Sequence, residues 1–142
     1  MEAPKQATPE VEETPVQETI ADSPQALLQQ LGGPNQEQID AWKVQHGNVF
    51  VSGFSQNEMY VWRPLLRSEY RDLQLAMADD NIGMDQLQYE ELLCATCVLW
   101  PTVDPEYFAK GKGGTASTLS EQIMQGSNFM NPAQLVQFVA PL

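Results

Sequence analysis

The sequence predicts a mainly α-helical (α+β) fold of about five or six helices with one β-hairpin, preceded by a disordered acidic tail. Three observations support this fold class. Cap-like residues open several apolar-periodic segments, one region is rich in β-branched and aromatic residues, and the first 22 residues are acidic and lack aromatic side chains. A length of 142 residues suffices for one domain of ordinary size. We therefore expect residues 23–142 to form that domain.

The tail is expected over residues 1–22, which hold six acidic side chains and one basic side chain. Pro4, Pro9 and Pro15 interrupt any helix there. Such a segment cannot bury enough apolar surface to offset the entropy of ordering, so we expect it to be disordered. With six negative charges and one positive charge, it accounts for five of the twelve net negative charges of the chain.

Two helices are expected before the hairpin. Ser23 is a suitable N-cap and Pro24 suits the first helical position, which predicts a short first helix. Asn35 and Gln38 have the spacing of a capping box and predict a second helix. Gly47 ends it, and His46 beside this glycine is interpreted as a residue that interacts with the terminal carbonyls of the helix.

The hairpin is predicted at about residues 48–62. The segments 48–52 and 58–62 are rich in β-branched and aromatic residues, and the five residues between them include Gly53 and Asn57. A lone hairpin is marginally stable in water, so its apolar side should pack on helices or pair with another chain.

Two longer helices are expected after the hairpin, over about residues 63–78 and 86–99. Asp85 and Gln88 form a cap-like pair at the start of the second, in which Leu87 is expected to face inward. The first helix carries an apolar stripe at steps of four, three and four residues, namely Leu66, Tyr70, Leu73 and Met77.

The last third of the chain is expected to be helical with one flexible break. A short helical turn is predicted over 106–109, and the glycine-rich residues 111–114 follow it. Thr118 and Glu121 fit a capping box for a helix that opens the C-terminal helical segment 118–142. A final helix is expected over 133–139, where Asn131-Pro132 precedes it.

The charge of the chain disfavours two classes of partner. The net charge is −12, the pI is about 4.2, and lysines and arginines are not clustered. Nucleic-acid and anionic-membrane binding both depend on such clusters, so we expect neither. The chain has no apolar run long enough to span a bilayer and no secretory signal, and we expect it to be cytosolic when synthesised.

Cys94 and Cys97 are the most suggestive chemical motif. A pair at this spacing can hold a metal or form a redox disulfide. A structural zinc site needs four ligands, however, and the chain offers one histidine, His46, and no further cysteine. On a helix the two thiols share one face, where a buried cysteine behaves as a small apolar side chain. We expect both in the core, and a small metal- or redox-binding protein is the alternative.

No other motif assembles a catalytic site. The paired acids Glu90-Glu91 and Asp79-Asp80 are interpreted as solvated. Residues 111–115 contain a lysine among glycines but lack the order and the preceding strand of a phosphate-binding loop. We interpret them as a hinge or a partner-contacting loop. The sequence therefore predicts a protein that is not an enzyme and needs no cofactor or metal.

The C-terminal region is the first candidate for contact with another protein. It is apolar and aromatic, and it would otherwise expose apolar surface to water. The residues expected to make this contact are Phe129, Leu135, Phe138, Val139 and Leu142.

A series of short motifs runs from about residue 39 to residue 130 and supports a family resemblance. The most distinctive part is a cysteine-bearing helix that ends in an apolar-proline corner, followed by a glycine-containing loop and a helix ending near Ser-x-Phe. In chain order the motifs are Ile39-Asp-Ala-Trp-Lys43, His46-Gly47, Val61-Trp-Arg63-Pro64, Arg67-Ser-Glu69-Tyr70, Leu93-Cys94, Cys97-Val-Leu-Trp-Pro101, Gly113-Gly114, Leu119, Ile123 and Ser127-Asn128-Phe129. In this series the chain resembles the small baseplate-hub and tail-assembly proteins of contractile-tailed bacteriophages.

The resemblance implies a structural subunit or assembly factor that binds other phage tail or baseplate proteins without a cofactor. It implies a location in the host cytoplasm during assembly, or in the virion tail if the subunit is retained. The number of copies, the neighbours and the oligomeric state are left open. Residues 1–22 lie outside the match and are interpreted as a partner-binding arm or a solubilising segment. An acidic adaptor that engages a basic partner is a further alternative.

Overall fold

The computed structural model describes residues 23–130, 133–134 and 139–142. The chain divides into two compact units, Met1–Ala41 and Trp42–Leu142, and each is described by itself. The predicted fold class is confirmed, because the described residues form six α-helices and a three-stranded antiparallel sheet. None of the described helices has the length and apolar character needed to cross a membrane.

The first unit contains helix α1 (Pro24–Gln30) and the first half of helix α2 (Gln36–His46). The Ser23 hydroxyl accepts a hydrogen bond from the Ala26 N–H at 2.9 Å, as its predicted capping role requires. The predicted tail, residues 1–22, lies outside the described residues. The domain boundary at residue 23 therefore stays a prediction.

The start of α2 is capped as predicted. The side-chain oxygen of Asn35 accepts a hydrogen bond from the Gln38 N–H at 2.8 Å. At its other end Gly47 has a φ of +86°, and its N–H donates to the Lys43 carbonyl at 2.8 Å. A residue with a side chain rarely adopts this backbone conformation, so glycine is the residue that allows the chain to leave the helix here.

The sheet contains the predicted hairpin and one strand that was not predicted. Strands β1 (Phe50–Ser55) and β2 (Glu58–Trp62) pair antiparallel, and β2 pairs antiparallel with β3 (Val98–Trp100) on its other side. Phe50 lies opposite Trp62 in the hairpin register. The strand order is β1-β2-β3, so the longer of the two strand pairings joins β1 and β2, which are adjacent in sequence.

The predicted extension of the cysteine helix to residue 99 is wrong. Helix α4 (Gln86–Cys97) ends two residues earlier, and Val98 is extended with ψ of 125°. Val98 lies opposite Trp62 and Trp100 opposite Val61, so strand pairing satisfies backbone groups that a longer helix would have used. Trp100 also precedes a proline, which disfavours a helical conformation at that position.

Helix α4 has the predicted capping box but a different apolar face. Asp85 accepts from the Gln88 N–H at 2.8 Å, and the Gln88 side chain accepts from the Asp85 N–H at 3.0 Å. Leu87, which was expected to face inward, is 61% exposed, whereas Tyr89 is buried. The buried face therefore begins two residues later than predicted and continues through Leu93 to the cysteines.

Helix α3 (Arg67–Ala78) begins four residues later than the predicted start at residue 63. Leu66 is its N-cap residue and is 57% exposed, so the predicted stripe is wrong at this position. Leu73 is buried as predicted, and Tyr70 and Met77 pack partly buried against the core. The later start follows because residues 63–66 are held in other contacts, described below.

The last helices are α5 (Pro105–Ala109) and α6 (Thr115–Gly126). The first confirms the predicted helical turn over 106–109. The second begins at Thr115, so the predicted N-cap at Thr118 is wrong, and Gly114 is the N-cap residue instead. Of the final helix predicted over 133–139, residues 133 and 134 are helical, residues 135–138 lie outside the described part, and Val139 is not helical.

The core of the second unit lies where β2, α3, α4, α5 and α6 meet. Leu93, Cys94, Cys97, Leu119 and Ile123 are completely buried. Their neighbours complete one apolar cluster, which also contains Tyr60, Trp62, Leu65, Leu73, Tyr89, Phe108 and Ala116. Burial of this apolar surface is the main stabilising contribution to the unit.

Gly126, the last residue of α6, lies directly against the ring of Trp62. A methyl group added at its Cα would come within 2.6 Å of the ring carbon Cη2. The ring cannot easily move, because it stacks on Phe50 at a centroid distance of 4.5 Å and its Nε1 donates to the Ser52 hydroxyl at 2.8 Å. The close approach of α6 to the sheet therefore requires glycine at this position.

We expect Gly126→Ala to lower the free energy of unfolding by about 1–3 kcal/mol, because the added methyl group overpacks the contact with Trp62. Gly113→Ala is the matched control, since nothing lies within 4 Å of the added atom there and its φ is not in the left-handed region. Urea unfolding monitored by tryptophan fluorescence measures both variants. Equal stability of the two variants would contradict the contact.

Candidate partner-binding surfaces

Arg63 joins three elements at the end of β2. Its guanidinium donates from Nη1 and Nη2 to the two carboxylate oxygens of Glu69, each at 2.8 Å. Nη2 also donates to the Thr96 carbonyl at 3.0 Å, and the Arg63 N–H donates to the Cys97 carbonyl at 3.1 Å. These last two acceptors are C-terminal carbonyls of α4, which have no partner within the helix. The ion pair is therefore part of the fold and not a free binding group.

The ionisation of the pair follows from its surroundings. Burial opposes the charge of Glu69, but the hydrogen bonds from Arg63 and from the Leu66 N–H outweigh it and hold the pKa of Glu69 below its ordinary value of 4.5. The hydrogen bond to Glu69 raises the pKa of Arg63, against the opposing effect of burial. Both groups are therefore charged at neutral pH.

The segment after Arg63 is also held by hydrogen bonds to Ser127. The Ser127 hydroxyl accepts a hydrogen bond from the Leu65 N–H at 2.8 Å and donates to the Ile123 carbonyl at 2.6 Å. Ser127 is the C-cap residue of α6. Residues 63–66 are thus bound to the ends of two helices, and this explains why α3 starts only at Arg67.

Cys94 and Cys97 lie in the core, as predicted. Both thiols are free and completely buried, and the Cys94 Sγ lies 3.4 Å from the Ala116 carbonyl oxygen. Burial raises the pKa of each thiol to about 12. The thiolate is the form that binds metals and attacks disulfides, so neither cysteine is in its reactive form at neutral pH. Among the described residues, no three His, Cys, Asp or Glu side chains form a group able to hold a metal ion.

The edge of β1 is the most open part of the sheet. β1 pairs with β2 on one side, and no described strand pairs with its other side. Phe50 and Val51 are each 37% exposed, whereas their partners Trp62 and Val61 are buried. Residues 47–57 contain no charged side chain and no proline, the residues that commonly protect an edge from pairing.

A cleft of about 690 Å³ lies between the hairpin turn, α5 and the start of α6. Within it the Tyr60 hydroxyl donates to Glu58 Oε2 at 2.8 Å and lies 3.0 Å from the Tyr107 hydroxyl. The Thr115 hydroxyl lies 3.4 Å from the same Glu58 oxygen. Burial, followed by the bonds to Tyr107 and Glu58, raises the pKa of Tyr60, so it stays neutral. The carboxylate and hydroxyl groups of Glu58, Tyr60, Tyr107 and Thr115 therefore bind one another within the cleft.

Lys112 and Gly111 of the predicted glycine-rich loop line this cleft. The Thr115 N–H donates to the Lys112 carbonyl at 3.3 Å, and the Thr118 N–H donates to the Gly114 carbonyl at 3.0 Å, so the loop leads directly into α6. A role of the loop as a hinge or as a partner contact stays a prediction.

The predicted C-terminal contact residues are only partly described. Phe129 is half-buried, and its ring lies 4.8 Å from that of Tyr70, so part of its surface is used within the fold. Val139 is 66% exposed, and Leu142 is fully exposed. Leu135 and Phe138 lie outside the described residues. The partner contact of this set stays a prediction.

Sequence reasoning did not find the exposed apolar side chains on α3, α4 and the loop between them. Leu75 is 63% exposed, and Ile82 is 57% exposed. Leu75 lies on α3 outside the predicted apolar stripe, Ile82 lies in the loop before α4, and Leu87 was expected to be buried. An apolar residue outside the best-fitting stripe is the signal that could have revealed them.

We expect Glu69→Gln to lower the free energy of unfolding at pH 7 by about 2 kcal/mol, because it leaves the half-buried Arg63 without its charged partner. The pKa of Glu69 is lowered in the folded state, so its stabilising effect is present above the ordinary pKa of 4.5 and is lost as the pH falls through the folded-state pKa. The difference from the wild type should therefore shrink below pH 4.5.

Glu106→Gln is the matched control for this prediction. Glu106 pairs with Lys110 at 3.2 Å, but these side chains are 67% and 75% exposed, so the pair should add less than about 0.5 kcal/mol. Urea unfolding from pH 3.5 to pH 7 compares the two variants. A pH-independent loss in Glu69→Gln would contradict the role of its charge.

We expect both thiols to react slowly with a thiol-specific reagent at pH 8 in the folded protein. With pKa values of about 12, only about one thiol in ten thousand is ionised at that pH, and the side chains are buried. Both should react fast in 6 M guanidinium chloride, which serves as the control. Fast reaction of either thiol in the folded protein, or zinc that remains bound through dialysis, would contradict the core assignment.

No protein-family model, curated protein or solved structure matches this chain significantly. The surfaces described above are therefore the structural observations that bear on function. Among them the β1 edge differs from the others, because it exposes both apolar side chains and a strand side without a described partner.

Proposed function

We propose that this protein is a structural or assembly component of a bacteriophage tail or baseplate and acts by binding other tail proteins. The order of motifs between Ile39 and Phe129 supports the phage context, because it resembles the small baseplate-hub and tail-assembly proteins of contractile-tailed phages. The β1 edge supports the mode of action and is the observation on which the proposal depends.

An open strand edge presents backbone N–H and C=O groups to a partner. Phe50 and Val51 belong to β1, and their partly exposed side chains add apolar contact area beside the backbone hydrogen-bonding groups. The register of the hairpin is regular from Phe50 to Gly53 and irregular between Gly53 and Ser55. A partner strand can therefore pair with the regular part of β1, residues 50–53, and so extend the sheet.

Two further observations favour binding over chemistry. In the cleft between the hairpin turn and α5, the Glu58 carboxylate and the Tyr60 hydroxyl hydrogen-bond to each other. The two thiols, Cys94 and Cys97, are buried in their neutral form. The alternative of a metal- or redox-binding protein would need one of these groups to face a ligand.

Affinity purification of the tagged full chain from cells in which a contractile-tailed phage is assembling tests the proposal. We expect tail or baseplate proteins to be enriched over an unrelated tagged protein of similar acidity. Mass spectrometry of purified particles then separates a retained subunit from a transient assembly factor. Enrichment of no tail protein, together with absence from the particles, would overturn the proposal.

We expect Val51→Lys to reduce recovery of the tail proteins at least about tenfold, because a lysine on a strand edge opposes pairing with a partner strand. Val44→Lys is the matched control, since Val44 is 89% exposed on α2 and the change in charge is the same. Quantitative mass spectrometry of the purified material measures the effect. Thermal unfolding of both variants shows whether the fold is kept, and equal recovery with both would contradict a role of the edge.

A further inference from the structure

A second candidate binding surface is formed by α4, α5 and the loop before α4. These elements are distant in sequence from β1. The surface is a groove of about 430 Å³ between the start of α4, the loop before it, and α5. Its apolar lining includes Ile82 and Met84 from the loop, Leu92 from α4, and Pro105 and Ala109 from α5. Ile82 is 57% exposed, so the groove has an apolar wall that nothing in the described chain covers.

The charged side chains that line the groove are acidic, and Gln88 is its one neutral polar side chain. Glu91 of α4 and Glu106 of α5 line it from its two helices. Glu91 makes no hydrogen bond or ion pair with any described residue, whereas Glu106 forms an exposed pair with Lys110. Residues 79–106 hold seven acidic side chains and no basic one. The apolar wall is therefore set in a strongly negative surface.

We propose that this groove binds a basic amphipathic α-helix of a partner protein. Its apolar side chains would occupy the space between Ile82, Leu92 and Ala109, and its lysines or arginines would pair with Glu91 and Glu106. The identification of this helix with another tail protein rests on the proposed function. The fit between the groove and a basic helix does not.

The secondary structure around the groove determines the shape of its occupant. The groove is formed by the helices α4 and α5 and by the loop before α4, and none of these is a strand. An extended peptide would find no strand edge there to satisfy its own backbone groups, whereas a helix satisfies them internally. Along α4 the groove is lined from Gln88 to Leu92, five residues that extend over about 7 Å, and the five residues of α5 lie beside them, so the groove matches about one and a half turns of a bound helix.

The charge of the groove determines the chemistry of the occupant. An acidic helix would meet repulsion from Glu91 and Glu106, and a neutral one would leave the unpaired Glu91 partly desolvated. A second copy of this chain is disfavoured because its net charge is −12. A basic helix removes both costs, so charge complementarity selects it among amphipathic helices.

The probe for this inference is an 18-residue peptide with leucines at helical spacing on one face and lysines on the other. Its fluorescence anisotropy is measured against the full chain at physiological salt, where weak surface attraction is screened. We expect saturable binding, and none by a peptide in which glutamates replace the lysines. Glu91→Lys should weaken the binding at least about tenfold.

Two further variants test whether the peptide binds in the groove and not by attraction to the net charge of the chain. Asp72→Lys changes the charge by the same amount at an exposed position of α3 and should leave the affinity within about twofold. Ile82→Ser keeps the charge and removes the apolar wall, and it should weaken binding at least about threefold. Equal effects of Glu91→Lys and Asp72→Lys would show attraction by net charge alone and would overturn the inference.

A photo-crosslinking group in the peptide locates the bound site. Crosslinks within residues 82–92 and 105–109 support the groove, and crosslinks confined to the acidic residues 1–22 overturn it. This result is independent of the proposed function. The peptide can map to the groove even if no tail protein is recovered from infected cells. Conversely, tail proteins can depend on Val51 even if the peptide does not bind the groove.

Discussion

The placement of Arg63 is the constraint on which the second unit depends. Its backbone N–H and its guanidinium bind the last carbonyls of α4, while the guanidinium also binds both carboxylate oxygens of Glu69. Glu69 in turn accepts from the Leu66 N–H at 2.9 Å and so caps α3. The end of β2, the start of α3 and the end of α4 are therefore positioned by one side chain and its ion pair. A lysine could not replace it, because only a guanidinium offers this planar set of donors.

The rest of the core follows from this junction. Once α4 ends beside Arg63, the chain continues along β2 as Val98 to Trp100 and adds the third strand. Ser127 holds Leu65 from the opposite side and fixes the end of α6. With its end fixed there, α6 approaches the sheet so closely that only glycine fits at residue 126 beside Trp62. The two cysteines are buried in this core, and the Cys94 Sγ lies 3.4 Å from the Ala116 carbonyl oxygen of α6.

The sequence predicted three of the helix starts that neighbouring residues determine, whereas the local pattern of Thr118 and Glu121 was misleading, because α6 begins at Thr115. The caps at Ser23, Asn35 and Asp85 depend on side chains within three positions, and all three were identified correctly. The end of α4 at Cys97 depends on Arg63, 34 positions away, and the segment before α3 is held through Leu65 by Ser127, 62 positions away. No local pattern contains these two bonds, and the sequence therefore predicted a start of α3 that is too early and an end of α4 that is too late. The cysteines were placed correctly because their spacing puts both on one helix face.

The candidate surfaces were harder to predict, because exposure is decided by packing that the sequence does not show. Leu87 fits an inward position by residue type, yet α4 buries the face that contains Tyr89 and leaves Leu87 in water. The same choice of face turns Glu91 and Leu92 toward the groove beside α5. The hairpin could be predicted from its composition, but its exposed edge follows from the addition of β3 to the far side of β2. The third strand covers the far side of β2, so within the hairpin the outer side of β1 is the one that stays open to a partner strand.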